Sequence, residues 1–381
     1  MQLRDLSDVL AAPGPFVTVH VGAESAVEQA ADRYELAWKA VLQRLEQDGV
    51  PAPVREAIAQ AKGAHDEGEA RLVVASLPEA RVVLAEAVST RPPTDVVQVA
   101  PLPDLLPLVH DLSSQVPHVV VHTDRTGADV EAFADTTSLA QELTVKGRTL
   151  HLKKVQGGGW AHHRYQHRSE NQWRENAKEI RDTAMQLAEQ VGAELIIGVG
   201  DERELTYVKE GLSQPWDSKW VEIPGGRGQD GSEALVPQRV RDVVSLHTAA
   251  ESLQLLADYA QERGQAKRAC DGLVDVVEAL RKAQVQTLIL TTDADTHSTL
   301  WFGEDPSQLG TSRADVEALG ATSPQEGPLL TVLLRAALAT GADVQLVPHQ
   351  SEQSPQSGLG ALLRYADSTA DSTADSDVQE D

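Results

Sequence analysis

Residues 148–180 read RTLHLKKVQGGGWAHHRYQHRSENQWRENAKEI, and this stretch decides the fold. A strand over 148–155 leads into three consecutive glycines, and a helix follows from about Tyr165 to Gln190. The buried strand Glu194–Gly198 comes next. Consecutive glycines lose much backbone entropy on ordering and offer no side chain to pack, so they suit a place where the backbone approaches another surface. This order of strand, loop, helix and strand predicts an α/β layer arrangement.

The flanking regions extend the α/β pattern on both sides. Towards the N-terminus, apolar periodicity predicts a strand at 15–22, helices at 26–47 and 54–62, and a hairpin of strands near Pro78. Towards the C-terminus, GLVDVVEALRKAQ (272–284) and LLTVLLRAALATG (329–341) predict apolar helices. QTLILTT (286–292) and ADVQLVP (342–348) predict the strands that alternate with them.

A length of 381 residues predicts two or three domains. The pattern breaks divide the chain into an N-terminal α/β domain, a middle domain with the glycine loop, a C-terminal α/β domain and a disordered acidic tail. Their bounds are 1–115, 116–263, 264–365 and 366–381. The tail repeats ADST without a single basic residue, and such a segment cannot build an apolar core.

Composition excludes several classes of protein. Apolar residues make up 41% of the chain, as in globular proteins, and the single cysteine, Cys270, excludes a disulfide framework. No apolar run is long enough to span a bilayer, and the N-terminus MQLRDLSDVLAA does not look like a signal peptide. We therefore expect a cytoplasmic protein without a membrane partner.

The net charge of −25 argues against nucleic acid as a partner, but the charge is unevenly distributed. The 27 residues from Leu143 to Ser169 hold no acid, where the chain-wide frequency would give about four. We call this segment the basic window. Its basic side chains and histidines are Lys146, Arg148, His151, Lys153, Lys154, His162, His163, Arg164, His167 and Arg168.

The centre of the basic window has the composition of an RNA-binding surface. Aromatic stacking combined with guanidinium and imidazole donors suits single-stranded or irregular RNA. The alternative is a flexible hairpin tip, since glycine is common in turns. For the C-terminal half of the helix, a solvated face with Glu–Lys and Glu–Arg pairs is the better interpretation. The predicted RNA-binding residues are Lys153, Lys154, Gly157, Gly158, Gly159, Trp160, His162, His163, Arg164, His167 and Arg168.

No motif predicts a metal, a cofactor or a catalytic residue. The four histidines of the basic window lack nearby cysteines or carboxylates, and zinc sites normally need three or four converging ligands. Residues 226–231, GRGQDG, match the glycine pattern of dinucleotide-binding loops. They lie at the end of the middle domain rather than at the first turn of a βαβ unit, which favours an ordinary loop.

The segment GGWAHHRYQHRSENQWRENAKEI (158–180) resembles the middle domain of the archaeal and eukaryotic class-I peptide-release factors. That family carries Gly-Gly-Gln, then an Arg-aromatic pair and a long helix. Here Gly158 and Gly159 match the glycines, and Arg164 and Tyr165 match the pair. GLVDVVEALRKAQVQTLIL (272–290) and GLGALLRY (358–365) are similar to the family's L7Ae-like C-terminal domain. The resemblance implies a three-domain architecture, and it is strongest to the bacterial branch that includes the ribosome hibernation factor Balon and its actinobacterial relatives.

The position of the family's catalytic glutamine is Trp160. An indole has one N–H donor and no amide oxygen, so it cannot position a water as that glutamine does. The resemblance therefore implies a factor that occupies the A site of the 70S ribosome, contacts rRNA at the decoding and peptidyl-transferase centres, and releases no peptide. It also implies elongation factor Tu as a partner.

Two alternatives remain open. One is a peptidyl-tRNA hydrolase or ribosome-rescue factor that uses Gln166 or a histidine to position water. The other is a stress-response scaffold that never meets the ribosome.

Overall fold

The structure is a computed structural model that describes residues 6–23, 30–64, 69–113, 115–124, 127–134, 139–146, 160–224, 235–265, 268–292, 298–348, 353–355 and 357–366. It contains two compact units. The first combines Met1–Ser113 with Leu253–Asp381, and the second is Ser114–Ser252. The domain boundaries predicted at 115, 263 and 365 remain predictions. The predicted first and third domains fall within one compact unit, although each forms its own sheets.

The N-terminal part of the first unit is an antiparallel sheet covered by helices. Its strands lie in the order β3-β2-β1-β4. Val17, Val19 and Val21 alternate along β1 and pack beneath α2 and α3, where Trp38 and Leu45 are fully buried. The elements are α1 (Leu6–Ala11), β1 (Phe16–Gly22), α2 (Ala30–Gln47), α3 (Ala52–Gln60), β2 (Ala70–Ser76), β3 (Arg81–Val88), β4 (Val96–Ala100) and α4 (Leu106–Ser113).

The C-terminal part of the first unit holds two sheets, ordered β10-β16-β11-β15 and β13-β12-β14, around the buried helix α10. On α10, Arg335 donates hydrogen bonds to the carbonyls of Gly303 and Glu304. The elements are β10 (Ala269–Asp271), α8 (Leu273–Arg281), β11 (Val285–Thr291), β12 (Thr299–Phe302), β13 (Leu309–Gly310), α9 (Arg313–Ala318), β14 (Gln325–Pro328), α10 (Leu329–Ala339), β15 (Asp343–Val347) and β16 (Leu359–Leu363).

One continuous apolar core joins the two parts of the first unit. Leu6 and Val9 of α1 belong to the same cluster as Leu333 and Leu334 of α10. Phe16, on the face of β1 that points away from α2, belongs to it as well. Because α1 packs on α10 and α4 packs on β15, the N-terminal sheet completes the core of the C-terminal part.

The second unit is a five-stranded mixed sheet with helices on both faces. Its strand order is β7-β6-β5-β8-β9, with β5, β8 and β9 parallel and the β5-β6-β7 meander antiparallel. The elements are β5 (His118–Asp124), β6 (Gly127–Phe133), β7 (Leu139–Lys146), α5 (Trp160–Val191), β8 (Leu195–Gly200), α6 (Glu202–Lys209), β9 (Trp220–Pro224) and α7 (Val236–Gly264), which ends within the first unit.

The two faces of this sheet bury different helices because successive strand residues point to opposite sides. Val119 and Val121 pack with α5 and α6, and Val120 packs with Val236 and Val244 of α7. The α/β class predicted from the sequence is confirmed. The predicted strand over 148–155 and most of the acidic tail lie outside the described residues. Among the helices that the structure describes, none is both long and apolar enough to cross a membrane.

Candidate nucleic-acid interface

The predicted RNA-binding residues fall into two groups. Lys153, Lys154 and the glycines 157–159 lie outside the described residues. The other six lie in the first nine residues of α5, whose backbone is described and whose side chains, up to residue 172, are not. These six are Trp160, His162, His163, Arg164, His167 and Arg168.

Helix α5 begins at Trp160, five residues before the predicted start at Tyr165. Trp160 and His163 are therefore helical positions rather than parts of a glycine-rich loop. No proline or glycine occurs between 160 and 165, so local sequence does not oppose the longer helix. At 3.6 residues per turn, positions 160, 163, 164, 167 and 168 share one face of α5, and position 162 lies on the opposite face.

The second half of α5 is anchored to the sheet by small and apolar residues at helical spacing. Ala177, Ala184 and Leu187 lie on the stripe that packs against Val119, Val121 and Val130. Among the described side chains of α5, the first buried one is Asn176. Trp160 lies sixteen residues earlier, and a rise of 1.5 Å per residue puts it about 24 Å away along the helix axis. The basic face thus precedes the anchored half of the helix.

Two basic residues of the anchored half take part in packing. The Arg174 guanidinium lies over the ring of Tyr207 on α6, 5.9 Å from its centroid. The Arg181 guanidinium covers Gly211, where an added Cβ would lie 2.2 Å from Arg181 Nη1. The sequence predicted a solvated face with Glu–Arg pairs here. Arg174, Glu175, Lys178 and Glu179 are exposed, in agreement with that prediction, whereas Arg181 is partly covered by the segment that follows α6.

A small cavity lies where α5 meets α6 and the carboxyl end of β5. Its volume is about 20 Å³, about the size needed for one water molecule. Thr123, Trp173 and Asn176 contribute to its lining. A cavity of this size cannot hold a substrate, so it is not a reaction centre.

The start of α5 is electrostatically suited to phosphate. Its first turn holds no acidic residue. The N-terminal end of a helix carries a partial positive charge, which adds to the charge of Arg164. What this arrangement offers is attraction and orientation of an anion. No group of described side chains near it has the arrangement of a nucleophile with a general base.

A second group of described side chains has the composition of a metal site, and the sequence did not predict it. His247 Nε2 lies 3.2 Å from Glu194 Oε2 and 3.4 Å from Glu251 Oε1. Burial raises the pKa of Glu194, as does the Glu251 carboxylate, while His247 and Lys219 act in the opposite direction. Glu194 and His247 are 53 residues apart, so only the i,i+4 pair on α7 was available to sequence analysis.

Comparison with known proteins matches the middle of the chain to one protein family. Residues 117–265 match the model of bacterial archaeo-eukaryotic release factor family 2. Two uncharacterized proteins of Mycobacterium tuberculosis, from strains CDC 1551 and H37Rv, are 26% identical to this chain over 377 residues. The alignment covers 96% of this chain and 97% of each relative.

Among solved structures, the chain is similar to Pelota of Archaeoglobus fulgidus and to Dom34 of Saccharomyces cerevisiae, described as a translation termination-like factor. The Pelota match has a TM-score of 0.35 at 13% identity and covers 96% of this chain and 92% of Pelota. The Dom34 match has a TM-score of 0.41 at 10% identity and covers 97% and 95%. Scores this low do not establish a shared arrangement of the whole chain.

The region 117–265 therefore belongs to the bacterial branch of the archaeal and eukaryotic release-factor superfamily. This confirms the family recognised from the sequence. The match contains the basic window from Leu143 to Ser169 and the whole of α5 (Trp160–Val191). Over residues 117–265 the chain is therefore release-factor-like.

Proposed function

We propose that the protein is a cytoplasmic ribosome-binding factor that occupies the A site of the 70S ribosome as a hibernation or stress factor. In this proposal the glycines 157–159 and Trp160 approach the peptidyl-transferase centre, and no peptide is released. Lys153, Lys154, Arg164 and Arg168 would contact rRNA phosphates. The N-terminal sheet would reach the decoding region, and elongation factor Tu would bind the C-terminal part.

The observation that carries the proposal is the position of the acid-free window within a release-factor family match. The window lies entirely inside residues 117–265, although the chain as a whole has a net charge of −25. Phosphate contacts supply most of the affinity of proteins for nucleic acid, so a segregated basic surface is the expected location of the RNA contact. Helix α5 supports this role because its second half is buried against the sheet.

The side chain at position 160 supports a function without hydrolysis. The resemblance aligns Trp160 with the glutamine that positions water in release factors, and indole has no group equivalent to the amide oxygen. An indole can instead stack on an unpaired base, an interaction worth about 1–3 kcal/mol. Binding at the peptidyl-transferase centre would therefore be retained while the catalytic group is missing.

The binding test is a reversal of charge at Lys153, Lys154, Arg164 and Arg168, all to glutamate. We expect the folded variant to lose co-sedimentation with 70S ribosomes. The wild-type affinity should fall steeply with salt, because each phosphate contact contributes roughly 0.9 to the slope of log K against log salt.

The matched control has the same change in net charge at four exposed basic residues elsewhere. It should bind ribosomes nearly as well as the wild type, which separates the local surface from the total charge. Co-sedimentation that survives in the first variant, with its circular dichroism unchanged, would remove the basic window from the interface. The control residues are Arg44, Arg268, Lys282 and Arg313, none of which lies on the N-terminal sheet or in the basic window.

The test of chemistry is peptide release from stalled ribosome–nascent-chain complexes. Wild-type protein should leave peptidyl-tRNA intact at concentrations that saturate binding. Peptide release with multiple turnover that persists in Trp160→Ala and disappears in Gln166→Ala would favour the hydrolase or rescue factor instead. Failure of the wild type to bind ribosomes at all would favour the scaffold hypothesis.

A further inference from the structure

The Glu194, His247 and Glu251 side chains converge on one point of the second unit, apart from any role in RNA binding. Glu194 immediately precedes β8, and its backbone N–H donates to the carbonyl of Pro117 at 2.7 Å. His247 and Glu251 lie one turn apart on α7, on the same face of the helix. One turn earlier, Val244 is buried against the sheet and fixes this part of α7 on β8.

Hydrogen bonding alone accounts poorly for this convergence. Both carboxylates approach the same atom, His247 Nε2, at 3.2 and 3.4 Å. An imidazole nitrogen carries at most one proton, so it can donate to only one of the two carboxylates in a linear hydrogen bond. A divalent cation between the three side chains would attract both carboxylates at once, which a single N–H proton does not.

The spacing of the three side chains fits a small divalent ion. Zinc binds imidazole nitrogen at about 2.0–2.1 Å and carboxylate oxygen at about 2.0–2.2 Å in tetrahedral geometry. Ligand atoms at those bond lengths are separated by about 3.3–3.5 Å, the edge of the tetrahedron. The two N–O distances of 3.2 and 3.4 Å match this edge, and all three ligand atoms lie within 4.8 Å of one another.

From this geometry we propose that Glu194, His247 and Glu251 form a zinc site that ties α7 to the start of β8. Two carboxylates and a neutral imidazole supply three ligands, and a fourth position remains for water. Imidazole favours zinc over magnesium and calcium, which prefer all-oxygen sites with six or more ligands. The ion would link Glu194, at the start of β8, to His247 and Glu251 on α7 and so hold the sheet and the helix together.

The experiment uses full-length protein stripped with a chelator and titrated with Zn²⁺ in millimolar Mg²⁺, which occupies weak surface carboxylates. We expect one equivalent of Zn²⁺ to bind and to slow hydrogen exchange in peptides from β8 and α7. Co²⁺ in place of Zn²⁺ should give the intense visible absorption of a four-coordinate site. The variants Glu194→Gln, His247→Gln and Glu251→Gln should each weaken Zn²⁺ binding at least about tenfold. Loss of a residue that only supports a metal ligand already costs about tenfold in affinity, so loss of a ligand itself should cost no less.

A matched control is available in the same unit. His122 Nε2 lies 3.5 Å from Glu131 Oε2, so this pair has one carboxylate where the proposed site has two. Glu131→Gln should leave Zn²⁺ affinity unchanged. Absence of stoichiometric binding in the wild type would overturn the proposal. So would affinity that is retained in all three site variants, because the ion would then lie elsewhere on the chain. Neither outcome depends on ribosome binding.

Discussion

Gly198 in the middle of β8 offers a sharp test of how the second unit packs. Its neighbours in the sheet are fixed by parallel pairing with Val121 on one side and Glu222 on the other. A Cβ atom at this position would lie 2.3 Å from Trp220 Cζ2 and 2.9 Å from Leu205 Cδ2. Both distances are shorter than any real Cβ contact, so Gly198→Ala requires the indole to move.

The indole cannot move freely. Trp220 is only 7% exposed, and its Nε1 donates to Glu222 Oε1 at 3.0 Å. Inserting a methyl group into a core of this kind destabilises by about 1–3 kcal/mol. Because a chain with two compact units need not unfold in a single step, the assay is hydrogen exchange in peptides that cover β8. The expected effect is exchange roughly 5- to 150-fold faster than in the wild type.

Two controls make this prediction refutable. Gly264→Ala, at a helix end where an added Cβ has no atom within 4 Å, should not accelerate exchange in β8. In the Trp220→Leu background, Gly198→Ala should have a much smaller effect, because the ring it would strike is gone. Equal effects of Gly198→Ala in both backgrounds, or no effect in either, would refute the packing of β8 against β9 described above.

Four further predictions follow from single residues or segments. Trp160→Ala should weaken ribosome binding by roughly 5- to 150-fold in a sedimentation titration if the indole stacks on a base, and unchanged affinity would contradict stacking. Deletion of residues 367–381 should leave the melting temperature unchanged, since a charged repeat cannot build a core, and a drop of several degrees would show that the tail docks. Burial, reinforced by Asp275 and Asp271, raises the pKa of the Cys270 thiol to about 12, so it should react with Ellman's reagent far more slowly in the folded than in the urea-unfolded chain. Burial lowers the pKa of His20, so the unfolded chain binds a proton first, and stability should fall as the pH drops below about 6.5. His20→Gln should flatten that fall in thermal melts between about pH 7.5 and 5.5.

Elements with strong internal periodicity could be predicted from the sequence. The structure confirms β1, the β2–β3 hairpin, α8, α10 and β11 near their predicted bounds. Each has apolar residues at the period of a strand or a helix, and the turn after β2 holds Pro78. In such segments the local pattern and the tertiary packing favour the same secondary structure, so the local pattern is sufficient to predict it.

Elements that depend on distant partners were missed. The edge strand β7 has exposed Gln141 and Glu142 and so lacks apolar alternation. Helix α6 buries only Leu205 and Val208, although its N-cap Asp201 was a usable signal. Helix α1 is six residues long and contributes through its place in a core shared with α10. Periodicity tells which face of an element is apolar, but not which distant element covers that face.

The candidate site likewise has one feature that the sequence could predict and others that it could not. The acid-free window was visible because charge is a local property of sequence, whereas the convergence of Glu194 with His247 depends on α7 packing against β8. The start of α5 at Trp160 places positions 160, 163, 164, 167 and 168 on one helix face. The helix predicted from about Tyr165 left positions 160, 163 and 164 without a fixed relation to positions 167 and 168.

The charge balance explains how an acidic protein could serve as an RNA-binding factor. Phosphate repels most of a chain that carries 58 acids against 33 basic residues, so an encounter is attractive only when the basic window leads. Repulsion elsewhere then acts against wrong orientations and against non-specific RNA, which is a contribution to specificity rather than to affinity. The window itself occupies 27 of 381 residues, and the anchored half of α5 holds its helical part in one direction. On the proposed function, acidic composition and RNA binding are therefore two parts of one arrangement: the acids select the orientation, and the basic helix makes the contact.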